Sequence, residues 1–123
     1  MPRKNPSKKP VSAIPLLLVG SDSAELDRKT ALLSSHGYVV TRAENICYAE
    51  MFAAEQYFEA AVYDSSLDTQ EQISLARIMR VRWPWMRLVR CGPMPAHADP
   101  DLFDAWSLSE ERLPQDVEST LVF

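Results

Sequence analysis

Short apolar runs recur along the chain and are separated by polar or amphipathic stretches. Each run contains four to six residues, and most are rich in β-branched, aliphatic or aromatic side chains. Short apolar runs bounded by turn residues are typical of strands buried on both faces of a parallel sheet. The pattern predicts five strands, at residues 16–19, 38–41, 60–63, 86–91 and 105–108.

The stretches between these runs show helical periodicity and helix end signals. Asp22 followed by Glu25 has the spacing of a capping box, and Gly37 stands where a left-handed C-cap ends a helix. Asn45 is a second N-cap, and Pro84 prevents a third helix from continuing beyond Trp83. The predicted helices run from Asp22 to Gly37, from Asn45 to about Tyr57, from the loop 65–69 to Trp83, over 100–104 and over 114–122.

Strands and helices therefore alternate, with connections of only a few residues. Because right-handed crossovers place helices above and below a parallel sheet, this order predicts an α/β fold, a doubly wound five-stranded parallel sheet in a three-layer sandwich. Ligands approach such sheets at the carboxyl ends of the strands. In this chain those ends carry Gly20 to Asp22, Asp64, and Cys91 with Gly92.

Composition and charge divide the chain into two parts. Hydrophobic residues make up 46% and charged residues 24% of the 123 residues, which is typical of one globular domain. The net charge is −4, but Arg3, Lys4, Lys8 and Lys9 precede the first acid, so the remainder carries −8. We expect a disordered basic tail at 1–13 and a folded domain at 14–123, whose acidic body argues against a nucleic-acid surface.

The remaining signals favour a reduced, cytoplasmic protein without a membrane segment. Basic residues before the apolar stretch 11–19 resemble a signal peptide, but Pro15 and Ser12 interrupt it and cleavage would remove the first strand. No other stretch approaches the length of a membrane span. Cys47 and Cys91 lie far apart with no CxxC pair, and both are predicted to be buried free thiols.

The segments 16–22, 36–40 and 61–64 resemble, in order and spacing, the receiver domain of bacterial response regulators, which has a flavodoxin-like fold. The resemblance covers roughly residues 14–123. It also indicates that the chain between Cys91 and Ser109 is a few residues short, which predicts a shortened fourth helix.

The resemblance implies a phosphorylation site at the carboxyl ends of the strands. In the family, an acidic pair after strand one and an aspartate after strand three hold Mg²⁺, and this aspartate attacks a phosphoryl donor. Asp64 matches the phosphoacceptor, and Asp22 with Asp64 forms the candidate metal pair. The acidic pair itself falls on Gly20 and Ser21, which argues against Mg²⁺.

Two further positions of the switch are altered. The hydroxyl residue expected after strand four falls on Cys91, and the lysine expected after strand five falls near Ser109. The resemblance therefore implies a stand-alone, degenerate receiver-like domain of a two-component phosphorelay. It would act through protein partners, a histidine kinase or a downstream signalling protein, and would be no enzyme beyond phosphorylation at Asp64.

Two alternatives remain open from the sequence. An aspartyl-nucleophile enzyme such as a phosphatase would require a second acid two residues after Asp64, where this chain has Ser66. A non-signalling oligomerisation scaffold, for example a homodimer, is the other. Trp83, Trp85 and Met86 form either a partner-docking spot or a helix end folded over the core, and packing over the core is favoured.

Overall fold

The structure is a computed structural model that describes residues 14–93, 99 and 101–121. In this part of the chain, strands and helices alternate from the first strand to the fourth, the fifth strand follows the fourth, and a 3₁₀ turn at Glu110–Arg112 precedes the last helix. The strands are β1 Ile14–Val19, β2 Tyr38–Ala43, β3 Ala60–Tyr63, β4 Arg87–Cys91 and β5 Ala105–Ser107. The helices are α1 Ser23–Ser35, α2 Ile46–Glu55, α3 Thr69–Arg82 and α4 Leu113–Thr120.

The five strands form one parallel sheet in the order β2-β1-β3-β4-β5. Because β1 and β3 are neighbours in space but not in sequence, the chain reverses its direction of travel across the sheet between them. The carboxyl ends of β1, β3, β4 and β5 therefore lie side by side along one edge. This edge is where the candidate site residues meet.

The core has two halves, one on each face of the sheet. Successive strand residues point to opposite faces, so Leu17 and Val19 face α2 and α3, whereas Leu16 and Leu18 face α1 and α4. The four residues are completely buried. The alternation confirms the predicted doubly wound, three-layer arrangement.

Side-chain caps fix where three of the helices begin. The Asp22 carboxylate accepts from the backbone N–H groups of Ala24 and Glu25, at 2.9 and 3.2 Å. Asn45 and Asp68 cap α2 and α3 in the same way. At the other end of α1, Gly37 has φ of +93°, as the sequence predicted for a left-handed C-cap.

The connection between β4 and β5 departs from the prediction of a short helix at 100–104. Residues 101–104 form a turn instead, and Pro100 lies outside the described residues. Leu102 and Phe103 are buried, and the Phe103 ring meets Tyr63 edge-on with centroids 5.1 Å apart. The short connection thus buries its apolar side chains directly against the α2 and α3 side of the sheet.

Other boundaries and burials also differ from expectation. β1 and β2 each extend two residues beyond the predicted runs, β4 begins at Arg87 and β5 ends at Ser107. Cys47 is exposed, whereas Cys91 is buried as predicted. The predicted tail at 1–13 and Val122 lie outside the described residues. Among the described residues, no helix is both long and apolar enough to cross a membrane.

Arg90 is a charged residue within β4, and its side chain is buried. Its Nε donates to Gln72 Oε1 at 2.5 Å, and Nη1 donates to the carbonyl of Pro93. The α3 amide and the loop carbonyl therefore replace water around the guanidinium.

Asp104 joins the β4–β5 connection to the sheet. Its carboxylate accepts from the backbone N–H of Leu88 at 2.8 Å and from Arg80 Nη2 at 3.1 Å. The backbone N–H of Asp104 donates to the Leu88 carbonyl at 2.7 Å. One carboxylate thus links α3, β4 and the start of β5.

Replacing Asp104 by Ala is expected to lower the free energy of unfolding by about 2 kcal/mol, because the Leu88 N–H and Arg80 lose their acceptor. Asp104→Asn is the matched control, since its amide oxygen still accepts from Leu88, and we expect a smaller loss. Urea unfolding of both variants checks this. An Asp104→Ala variant as stable as the wild type would contradict the assigned role.

Candidate functional site

The residues singled out from the sequence lie along the carboxyl edge of the sheet. Gly20, Ser21 and Asp22 follow β1, Asp64 follows β3, and Cys91 ends β4. The Asp64 N–H donates to the Val19 carbonyl at 2.8 Å, which extends the β1–β3 ladder by one bond and fixes the position of Asp64. Its side chain is completely buried.

A lysine that sequence reasoning missed neutralises Asp64. Lys29 Nζ, from the middle of α1, lies 2.6 Å from Asp64 Oδ1. The Ser66 backbone N–H donates to Oδ2 at 3.0 Å. Within the described residues no donor meets Oδ1 at hydrogen-bond angles, so the contact with Lys29 is an ion pair held by charge rather than by an aligned hydrogen bond.

The signal for Lys29 was present in the helical spacing. Leu26 and Leu33 are buried on α1, and Lys29 stands three residues after the first and four before the second. It therefore lies on the buried stripe of the helix. A lysine on such a stripe is rarely buried unless it is paired, so the sequence could have indicated a partner carboxylate.

Further charges surround the ammonium. Lys29 Nζ lies 3.4 Å from Glu25 Oε1, one turn earlier on α1, and 3.9 Å from Glu110 Oε1. Arg28 Nη2 also lies 3.4 Å from Glu110 Oε1. The Glu25 carboxylate therefore faces Lys29. The cluster of Glu25, Arg28, Lys29 and Glu110 links α1 to the 3₁₀ turn after β5.

The pKa values of the pair move apart. Burial by itself would raise the pKa of Asp64, but the close contact with the Lys29 ammonium and the hydrogen bonding from Ser66 together lower it. Burial would also lower the pKa of Lys29, but the close contact with the charge of Asp64 outweighs it and raises the pKa. Both side chains therefore stay ionised around neutral pH.

Gly20 leaves no space for a side chain. A Cβ on this residue would lie 2.8 Å from Asp64 Cβ and 2.9 Å from Leu26 Cδ2, both closer than real contacts of this kind. The absence of an acid at this position is thus part of the packing. The β1–α1 loop passes directly over Asp64 because Gly20 has only a hydrogen there.

The rest of the β1–α1 loop is held by Ser66. The backbone N–H groups of Ser21 and Asp22 donate to Ser66 Oγ at 2.9 and 3.2 Å, and Ser21 Oγ donates to the Ser66 carbonyl at 2.7 Å. Asp22 uses its carboxylate to cap α1. Hydrogen bonds of Ser21, Asp22 and Ser66 thus fix the conformation of the loop.

Cys91 and Ser109 line one side of the same edge. They border an open cavity of about 250 Å³ that Lys29, Ser65 and Ser107 also line. Burial raises the pKa of the Cys91 thiol to about 12. This thiol is therefore protonated and a weak hydrogen-bond donor at neutral pH.

The donor set does not suit the Mg²⁺ that the resemblance implies. Mg²⁺ needs a near-octahedral set of oxygen ligands, usually with one or two protein carboxylates. Here one oxygen of Asp64 faces an ammonium and the other accepts an N–H, while Asp22 is a helix cap. Across the described residues, no group of three or more His, Cys, Asp or Glu side chains could hold a metal ion.

Several solved structures similar to this one are response regulators or their receiver domains. A CheY-like receiver domain from Methanospirillum hungatei aligns over 89% of this chain and 94% of its own, with a TM-score of 0.74 and 20% identity. The response regulator TrrA of Thermotoga maritima, solved with Mg²⁺ and BeF, gives 0.76 at 16% identity over 88% and 99% of the two chains. Vibrio cholerae CheY4 gives 0.77 at 13% identity over 89% and 99%.

One sequence relative adds to these findings. The alginate biosynthesis transcriptional regulatory protein AlgB of Pseudomonas putida is 32% identical over 74 residues, which is 60% of this chain but only 16% of that regulator. No family model matches the chain. Together with the parallel sheet, these likenesses confirm the resemblance predicted from the sequence: the chain has the α/β fold of CheY-like response-regulator receiver domains.

Proposed function

We propose that this chain is a degenerate receiver domain, a signalling module of two-component systems that binds protein partners without being switched by phosphorylation. The observation that carries the proposal is the buried ion pair between Asp64 and Lys29 at 2.6 Å. Asp64 then occupies the position of a phosphoacceptor but has a structural role.

The state of the Asp64 carboxylate supports the proposal first. Attack on a phosphoryl donor needs a carboxylate oxygen that the donor can reach in line. The Asp64 side chain is completely buried, Oδ1 faces Lys29 Nζ, and Oδ2 accepts from the Ser66 N–H. Phosphorylation would require one of these oxygens to leave its contact with Lys29 or with the Ser66 N–H.

The electrostatics of the cluster supports it next. In a receiver that uses Mg²⁺, the divalent cation offsets the negative charges of several acids and of the incoming phosphoryl group. Here Gly20 and Ser21 supply no carboxylate, so only one buried acid needs a counter-charge. Lys29 supplies that single positive charge from within the chain, so the buried charge of Asp64 is offset without a metal.

The altered switch positions agree with this reading. A thiol at Cys91 donates hydrogen bonds more weakly than the hydroxyl that the resemblance implies. Ser109 lacks the positive charge of the expected lysine. A phosphoryl group on Asp64 would thus lack the two contacts that could transmit its presence to the rest of the domain.

The alternatives receive less support. An aspartyl-nucleophile phosphatase requires an acid at position 66. In this chain position 66 is a serine, and its hydroxyl accepts hydrogen bonds from the β1–α1 loop. An oligomerisation scaffold or a homodimer remains a prediction that size-exclusion chromatography can test. For the favoured reading, the partner is a histidine kinase or a downstream signalling protein that recognises the unphosphorylated surface.

Incubation with a small phosphodonor and Mg²⁺, followed by intact mass measurement, tests the proposal. We expect no phosphoryl adduct on the wild type, because Asp64 is blocked by Lys29. We also expect Mg²⁺ titrations of the wild type and of Asp64→Asn to coincide. An adduct on the wild type that disappears in Asp64→Asn would overturn the proposal.

The structural role of the ion pair predicts a specific pattern of stability. Lys29→Met leaves the buried carboxylate without its counter-charge and is expected to lower the free energy of unfolding by about 3 kcal/mol at neutral pH. The double variant with Lys29→Met and Asp64→Asn removes both charges and should be more stable than Lys29→Met alone. Urea unfolding of the wild type, both single variants and the double variant gives the coupling between the two residues.

The pH dependence of that coupling has a defined sign. The folded pKa of Asp64 lies below the ordinary aspartate pKa of 3.8, so its contribution is complete above that pH and is lost on acidification through the lower folded value. The folded pKa of Lys29 lies above 10.5, so its contribution is complete below pH 10.5 and is lost above it. A coupling that disappears between these limits, for example near pH 6, would contradict the assignment.

An acid at position 20 should not restore metal binding by itself. Gly20→Ala is expected to cost about 2 kcal/mol of stability, because its Cβ meets Asp64 and Leu26. Gly20→Asp should cost more and gain no affinity for Mg²⁺. Ser21→Asp, at the neighbouring exposed residue, is the matched control. Urea unfolding and Mg²⁺ titration of these variants check the prediction. A stable Gly20→Asp variant that binds Mg²⁺ would contradict it, because Asp64 and Leu26 would then have moved to make space for the new side chain.

A further inference from the structure

Two aromatic side chains form an exposed pair at the amino end of the sheet. Tyr57 and Trp85 are stacked, with ring centroids 6.3 Å apart and planes within 11° of parallel. About half of each side chain is exposed, whereas Met86 is buried in the core. Trp83 and Met86 thus pack over the core as favoured from the sequence, whereas Trp85 is exposed.

The pair lies beside the start of β1. The Glu59 N–H donates to the Pro15 carbonyl at 2.9 Å, and the Arg87 N–H donates to the Glu59 carbonyl at 3.0 Å. Tyr57 stands two residues before Glu59, and Trp85 two residues before Arg87. The described chain begins at Ile14, directly before Pro15, so its start lies beside the segment that leads from Tyr57 into β3.

The charges at this end differ on its two sides. Glu55 is exposed on the Tyr57 side, and Glu59 accepts from the Tyr57 hydroxyl at 2.8 Å. The cations Arg82 and Arg87 belong to the segment around Trp85, and the Arg82 charge is already paired with Glu50 at 3.0 Å. The Tyr57 side is therefore the acidic side of the aromatic pair.

The sequence before Ile14 complements that side. Residues 1–13 carry four cations and no acid, and Lys8, Lys9 and Pro10 are adjacent. A chain extends about 3.3 Å per residue, so Pro10 can lie about 13 Å from Ile14. Glu59 is hydrogen-bonded to Pro15, and Tyr57 stands two residues before Glu59. A reach of this length is therefore enough to bring Pro10 to the Tyr57 ring.

We propose that residues 8–10 dock in cis on the exposed Tyr57 ring, with the lysine ammonium groups against Glu55 and Glu59. A proline ring packs well on an aromatic face, and an ammonium is attracted both to that face and to the carboxylates. The docked segment would cover the Tyr57–Trp85 pair. The proposal is independent of the role of Asp64.

A spin label on the segment tests it in the full chain. Ser7→Cys is labelled in a Cys47→Ser background, since Cys47 is the exposed thiol and Cys91 is buried. The readout is the attenuation of the tryptophan indole N–H signals. We expect stronger attenuation for Trp85 than for Trp106, which lies in β5 at the far edge of the sheet.

A matched pair of variants separates docking from simple tethering. Tyr57 and Tyr48 are similarly exposed, at 55% and 50%, but Tyr48 lies near the start of α2, at the opposite end of the helix. Tyr57→Ser should lower the docked-to-free ratio about fivefold, as expected for loss of one aromatic contact, whereas Tyr48→Ser should leave it unchanged. Replacing Lys8 and Lys9 by Glu should lower the same ratio.

The proposal is overturned if the spin label attenuates the Trp85 signal equally in the Tyr57→Ser and Tyr48→Ser variants. It is also overturned if the attenuation of Trp85 arises between chains, which a mixture of spin-labelled chain and isotope-labelled chain reveals. In that case the segment binds a second copy rather than its own domain.

Discussion

The ion pair between Lys29 and Asp64 is the interaction on which the carboxyl edge of this domain depends. A carboxylate at the end of a central, fully buried strand has a high desolvation cost, and it is tolerated only with a counter-charge and donors to its oxygens. Lys29 and the Ser66 N–H meet that requirement. Because Lys29 belongs to α1 and Asp64 follows β3, the pair also fixes the first helix against the middle of the sheet.

The same contact decides what the edge can do chemically. A receiver site needs an open carboxylate among other acids, so that a divalent cation and a phosphoryl group can be bound together. In this chain the aspartate remains but its environment is balanced internally, with one ammonium, one N–H and a loop tied down by Ser66. The fold has the geometry of a receiver domain around a carboxylate whose charge is already paired.

The sequence predicted the fold well because the relevant signals are local. Apolar runs, the caps at Asp22 and Asn45, and the left-handed Gly37 each depend on a few adjacent residues. Contacts between distant residues were less predictable. Arg90 is buried because Gln72, on another element, accepts from its guanidinium, and 101–104 form a turn because Phe103 packs against Tyr63. Lys29 is an intermediate case, since its place on the buried stripe of α1 was visible but its partner was not.

Gly20 has a consequence for how such a domain can change. Its hydrogen, the Asp64 Cβ and the Leu26 side chain share one small volume, so the three positions are interlocked. An acid at position 20 cannot be gained in a single substitution without displacing the other two residues. A path between this arrangement and one with an acidic pair therefore loses stability at position 20 unless a compensating change precedes it, so the order in which mutations arise affects which are accessible.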